Sequence, residues 1–334
     1  MLIQTKAYAR AGLIGNPSDG YFGKTISLII RNFSANVTLY QTPELEIIPR
    51  AQDRSLFNNV KELVNDVKLN GYYGGVRLIK ATIKKFYDYC TKNNIKIEDK
   101  NFTIRYDTNI PRQVGMAGSS AIVTATLRAL MAFYQVDIPK PIQPNLILSV
   151  ETEELGITAG LQDRVIQVYE NLVYMDFNRD IMQKQGHGNY SSIDPKLLPP
   201  LYIAYKTKLS EVSSRVHQSL RTLYDTGDET VINAMQYFAD LAVQARQHLL
   251  DKKPEKLKDL INANFDKRME ITDVGAENLE MITIARSCGA CAKFAGSGGC
   301  IIGIYEDDDM YWKLMGKLSE VGANVFQPVI TEED

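Results

Sequence analysis

The chain has 334 residues, a net charge of −2 and 45% hydrophobic residues. This is the composition of an ordinary folded protein, long enough for two domains with cores of their own. The near-neutral balance gives no support to nucleic-acid binding, and no apolar run reaches membrane-spanning length. The start, "MLIQTKAYARAGLIG", has no long apolar core followed by a small-residue cleavage site, which argues against a signal peptide. Four cysteines, Cys90, Cys288, Cys291 and Cys300, are sparse usage for this length and point to a reducing compartment, with the cytoplasm as the default. Cys288 and Cys291 form a lone CxxC. The three histidines lie far from it in sequence, so the pair reads as small buried cysteines on a helix rather than a metal or redox site.

Taken in chain order, the first 50 residues read as strands, with "ISLIIRNFSANVTLYQ" and "LEIIP" rich in β-branched residues. Within them, Gly23-Lys24-Thr25 reads like the tail of a Walker A loop. The full pattern needs a glycine where Ser18 stands, so that reading fails. Val76, Ile79, Ile83 and Phe86 recur at helical spacing and predict a helix over 72–92. "NFTIRYDTNI" is a strand that runs into "PRQVGMAGSSA" and a strongly apolar helix. "LILSVETEELG" is helical, and "DRVIQVYENLVYMDF" reads as two short strands around a turn. The polar stretch 181–200, ending in "LLPP", is the best domain boundary. Beyond it come a strand over 201–207, a long amphipathic helix over 229–250, a helix over 278–294 ending near glycines, a strand over 298–306, a helix over 310–322 and a closing strand. The order lacks a regular βα rhythm, so the fold class is α+β, divided into 1–195 and 196–334.

The strongest local signal is "PRQVGMAGSSA", residues 111–121. Gly115 and Gly118 bracket two residues, Ser119 and Ser120 follow, and a helix begins at once. Such a loop presents backbone N–H groups beside the positive end of a helix dipole, which suits a phosphate. A serine N-cap after a flexible turn explains it equally well. "KFAGSGGC", residues 293–300, is a second glycine-rich turn, weak on its own. Glu151 and Asp163 are twelve residues apart, and Asp163 sits between apolar stretches, where an unpartnered carboxylate is costly.

Together and in this order, "AYARAGLIGNPSD", "PRQVGMAGSSA" and "KFAGSGGC" resemble the three signatures of the GHMP kinases. "GYYGGVRL", "AGLQDRV" and "LVYMDF" bring the resemblance closest to the glucuronokinases. Galactokinases carry Gly-Glu-His-Thr-Asp where this chain has Gly-Asn-Pro-Ser-Asp, residues 15–19, and Met116 stands where leucine is usual. The resemblance implies a ribosomal S5-like N-terminal domain and a ferredoxin-like C-terminal domain. It also implies transfer of a phosphoryl group from ATP to the anomeric hydroxyl of D-glucuronate, in a site that binds no nucleic acid and no membrane. By the same carry-over, Asp163 and Arg10 are catalytic. Gly115, Met116, Ala117, Gly118, Ser119 and Ser120 bind ATP, with Tyr72 and Tyr73 as candidates to stack on adenine. Ser120 and Glu151 hold Mg²⁺, and Asp19, Gly296, Ser297 and Gly298 face the sugar. Arg164, next to Asp163, is the expected partner of the sugar carboxylate, with Arg112 and Arg215 as competitors. A galactose or mevalonate kinase of the same superfamily, or a non-catalytic nucleotide- and sugar-sensing paralogue, are the alternatives. Oligomeric state is not encoded in any of these features.

Overall fold

The computed structural model describes residues 1–50, 53, 74–207 and 220–332. It is an α+β chain with two sheets. The first is organised by one long strand, β2 (Lys24–Thr42), which pairs antiparallel with β1 (Leu2–Ile14) along one edge. Its other edge is shared: residues 24–28 pair with β5 (Leu172–Asp176), and residues 35–42 pair with β4 (Asn101–Thr108). β3 (Glu46–Ile48) lies parallel beside β4, and β6 (Asn189–Ile193) antiparallel beside β5. Residues Ile26 to Ile30 are all fully buried, so this part of β2 is covered on both faces. On the sheet lie α1 (Gly75–Lys92), α2 (Gly118–Tyr134), α3 (Gln143–Ser149) and α4 (Gln162–Tyr169), with the short α5 (Arg179–Gln185) between β5 and β6. α2 packs directly on β1 and β2.

The second sheet has the order β10-β7-β9-β8, from β7 (Leu201–Tyr205), β8 (Lys293–Phe294), β9 (Cys300–Ile304) and β10 (Asn324–Phe326). Around it stand α6 (Glu229–Leu250), α7 (Leu257–Ile271), α8 (Ala276–Ser287) and α9 (Asp308–Glu320). Tyr202, Phe265, Met281, Phe294 and Leu314 form its core. α6 and α7 also reach β1 of the first sheet, and this places α7 beside the loops that leave β1. Among the described residues, no helix is long and apolar enough to cross a membrane.

Several expectations change. The first half of "DRVIQVYENLVYMDF" is not a strand but helix α4. Its β-branched residues suggested a strand, yet Arg164, Val165, Ile166, Gln167 and Val168 are all buried, and packing against β1, β2 and α2 overrides propensity. The helix expected over 146–156 loosens after Ser149 into a π-helical turn, Val150–Glu154. The helix expected over 278–294 stops at Ser287. Cys288 therefore caps it and Cys291 lies in the connection to β8; all four cysteines are buried and unpaired. The Gly23-Lys24-Thr25 tripeptide simply opens β2. Lys24 pairs with Asp176 at 3.7 Å, and a side chain at Gly23 would overlap the Ser18 hydroxyl.

Candidate functional site

The centre of the site is Arg10, carried into the interior by β1 and only 5% exposed. Its Nε donates to Asp163 Oδ1 at 2.6 Å and its Nη2 to Asp163 Oδ2 at 2.8 Å, a two-point pairing of guanidinium and carboxylate. Nη1 donates to the carbonyls of Gly115, at 2.5 Å, and Ala295, at 3.2 Å. One side chain thus ties the first glycine loop, the late glycine turn and α4 together. The glycines make this approach possible. A Cβ on Gly296 would press on both the Gly115 carbonyl and Arg10 Nη1, and a Cβ on Gly115, at φ 71°, would lie 2.7 Å from the Gly298 carbonyl.

The loop leads into α2 through Ala117, which adopts a left-handed φ of 61° and stands at the N-cap position itself, without a capping side-chain hydrogen bond of its own. The serine N-cap reading is therefore not the one adopted. The Ser120 hydroxyl donates back to the Ala117 carbonyl at 3.1 Å. The same carbonyl accepts from Gln167 Nε2 at 3.0 Å, which holds the strained residue against α4. The first turn of a helix has N–H groups with no partner inside the helix, so a start that faces a cavity attracts an anion.

Opposite the loop, Glu151 is 2% and Arg164 4% exposed. Arg164 Nε donates to Glu151 Oε2 at 2.9 Å and Nη2 reaches the same oxygen. Arg164 Nη1 bonds the Gly160 carbonyl at 2.8 Å and stands 3.4 Å from Asp163. Burial alone would lower the pKa of Arg164, but the Glu151 and Asp163 carboxylates outweigh it and the net shift is upward. Asp19 accepts the Gln162 N–H at 3.2 Å, and its approach requires a glycine at position 160, where any Cβ would overlap the carboxylate. Burial, followed by the charge of Asp163, pushes Asp19 up to about 6.

These residues line one cavity of about 440 Å³. Arg10, Asp19, Gly115, Met116, Ala117, Gly118, Ser119, Ser120, Glu151, Asp163, Arg164, Gly296 and Ser297 are all on its wall. Gly298 is not; it stands behind Gly115 as packing. Arg112 is on the wall but exposed. Tyr72, Tyr73 and Arg215 lie outside the described residues. Two buried basic side chains, Lys293 and Arg268, escaped the sequence reading. Lys293 donates to Gly12 O at 2.9 Å, Asn16 Oδ1 at 2.5 Å and Phe294 O at 2.7 Å, although burial and then the charges of Arg268 and Arg10 depress its pKa strongly. Arg268 lies on α7, a helix the sequence reading did not anticipate.

Known proteins share the family and the fold. The family model described as GHMP kinases N terminal domain matches residues 77–171. Lactococcus lactis galactokinase complexed with galactose has a TM-score of 0.78 at 17% identity, over 98% of this chain and 93% of that one. Methanococcus jannaschii mevalonate kinase has a TM-score of 0.71 at 20% identity, over 99% and 98%. The fold is that of the GHMP kinases. In sequence, the chain is 45% identical to glucuronokinase 1 of Arabidopsis thaliana over 333 residues, 98% of this chain and 91% of the relative. Probable glucuronokinase 2 of the same plant is also 45% identical, over 335 residues and the same shares. The chain belongs to the glucuronokinases of the GHMP kinase superfamily. It is a phosphotransferase with an alcohol acceptor and ATP as co-substrate.

Proposed function

We propose that the chain transfers the γ-phosphoryl group of ATP to the anomeric hydroxyl of D-glucuronate, giving glucuronate 1-phosphate and ADP. The likeness to the Arabidopsis glucuronokinases supports the substrate. The observation that carries the chemistry is the two-point Arg10–Asp163 pair on the wall of the cavity that the 115–120 loop also lines. Phosphoryl transfer asks a protein mainly for positioning and charge stabilisation. The amides of the loop and the start of α2 hold the β- and γ-phosphates. Asp163 orients the attacking hydroxyl and accepts its proton. Arg10 locks the Asp163 carboxylate in place and faces the charge developing on the transferred group. Asp19 orients the sugar.

Mg²⁺ fits the donor set on this wall. The described residues contain no cluster of three or more His, Cys, Asp or Glu that could hold a metal. An ion that keeps several waters and phosphate oxygens needs only one or two protein ligands. Glu151 and Ser120, both oxygen donors on the cavity, are the residues that would hold it, and the bound ion would offset charge on the phosphates. Arg164 fixes the orientation of Glu151. The free cysteines suit a reducing compartment, and we place the enzyme in the cytoplasm.

The test is ADP release from ATP and Mg²⁺ over a panel of glucuronate, galacturonate, glucose, galactose and mevalonate. Turnover with glucuronate well above every other acceptor is expected. Turnover of galactose or mevalonate alone would make the chain another kinase of the superfamily, and no turnover at all would make it a sensor.

A further inference from the structure

The cavity wall carries several arginines, and most already have a carboxylate. Arg10 pairs with Asp163, Arg164 with Glu151, Arg50 with Asp107 at 2.8 Å and Arg221 with Asp225 at 2.9 Å. Arg268 differs. It is 3% exposed and lines the cavity, yet among the described residues no carboxylate lies within 4.0 Å of its guanidinium. Nη1 donates to the Gly296 carbonyl at 3.2 Å, the group sits 5.1 Å from the Phe294 ring centroid, and among the described residues Nε has no hydrogen-bond partner. A buried cation without a counter-ion is costly to keep. A buried donor with no acceptor adds to that cost. Burial lowers its pKa to about 10, with Tyr21 and Asp19 opposing, so it still carries its charge at neutral pH.

Its place in the fold points to the sugar side. Asn264, one turn earlier on the same face of α7, accepts the Gly15 N–H at 2.8 Å and donates to the Asn16 carbonyl at 3.1 Å. α7 is thereby fixed to the Gly15–Asp19 turn, and Arg268 stands between that turn and Gly296. We infer that Arg268 is the receptor for the carboxylate of the sugar acid, its guanidinium gaining a counter-ion only when substrate is bound. This rests on the sugar-acid kinase reading above. It assigns the carboxylate to Arg268 rather than to Arg164, whose Nε and Nη2 are both directed at Glu151.

The experiment compares the wild-type protein with Arg268→Met, Arg268→Lys and Arg164→Gln, measuring kcat/KM for glucuronate and glucose, KM for ATP and thermal stability. For Arg268→Met, kcat/KM for glucuronate should fall about a hundredfold, and that for glucose should change less than about threefold. KM for ATP should hold, and Arg268→Lys, which keeps the charge and loses the fork, should lie between. The melting temperature of Arg268→Met should equal or exceed that of the wild type, because the free protein loses an uncompensated buried charge. Four results would overturn the inference: an unchanged preference for glucuronate in Arg268→Met; a raised KM for ATP with glucuronate unaffected, which would place phosphate there; loss of the preference in Arg164→Gln alone; or Arg268→Met failing to fold, which would make the residue structural. If the wild type itself does not prefer a sugar acid, the functional reading fails first, and the wild-type panel shows this without any variant.

Discussion

Gly296→Ala adds a single methyl group at the point where the two glycine-rich segments meet. That carbon would lie 2.9 Å from Arg10 Nη1 and nearer still to the Gly115 carbonyl oxygen, where ordinary contact begins near 3.4 Å. The carbonyl is backbone and Arg10 is held by Asp163, so neither can swing aside as a flexible side-chain tip does. The 115–120 loop and the late turn must separate by something on the order of 1 Å, well up the repulsive wall of the contact. Overpacking of this kind costs about 1–3 kcal/mol of stability. A shift of about 1 Å in groups that position reactants can cost about a hundredfold in rate. The assay is steady-state ADP release with ATP varied, paired with thermal unfolding. Both kcat/KM for ATP and the melting temperature should fall. Gly316→Ala serves as the comparison: it lies within α9 with nothing among the described residues within 4 Å of the added carbon, and should leave activity unchanged while stabilising by up to about 1 kcal/mol. Wild-type kinetics in Gly296→Ala would refute the idea that the close approach of the two turns sets the phosphate site.

Asp163→Asn keeps the shape of the side chain and removes the proton acceptor. Its kcat should drop by about a hundredfold or more with little change in KM for ATP, and activity within tenfold of wild type would remove Asp163 from the chemistry. Asp19 has a folded-state pKa of about 6 against 3.8 for the ordinary group, so the folded protein holds the proton more tightly. Stability therefore falls as pH rises from about 4 to about 6 and levels off above. Asp19→Asn should lack that decline, and the gap between variant and wild type should widen across this window by at most about 3 kcal/mol, less where the carboxylate meets cavity water. Parallel stability profiles in urea titrations at several pH values would contradict it. Lys293→Met should destabilise by about 3 kcal/mol despite its apolar surroundings, because the oxygens of Gly12, Asn16 and Phe294 lose their donor; an unchanged urea midpoint would count against that role.

What could be read from the sequence divides along a physical line. The 115–120 loop and the late turn were legible because close backbone approach restricts the residue type. Gly115 meets the Gly298 carbonyl and Gly296 meets Gly115, so glycine is demanded at fixed places. Asp163 was legible because a carboxylate between "ITAGL" and "VIQVY" needs a partner, and Arg10 supplies it from β1. Helix α4 was not legible. It spans only eight residues, too short a stretch for the helical period to stand out, and its valines and isoleucine mimic a strand. The pairing of Arg164 was equally hidden, since Glu151 and Arg164 meet only because the chain loosens into a π-helical turn at Val150–Glu154 and doubles back through Gly160.

Arg268 marks the far limit of such reading. Its helix, "LKDLINANFDKRMEI", has mixed polarity, and in sequence it is one arginine among many, 105 residues after Asp163. Its distinction lies in what is missing around it. Every other buried arginine on the cavity wall is answered by a carboxylate, and among the described residues this one is not. A sequence lists the charges, but only the fold shows which of them cancel. A kinase that must tell an acid from a hexose of the same size gains most from a cation left uncancelled inside its own site. That cation is desolvated already, so the substrate carboxylate meets full charge where a surface arginine would offer a screened one.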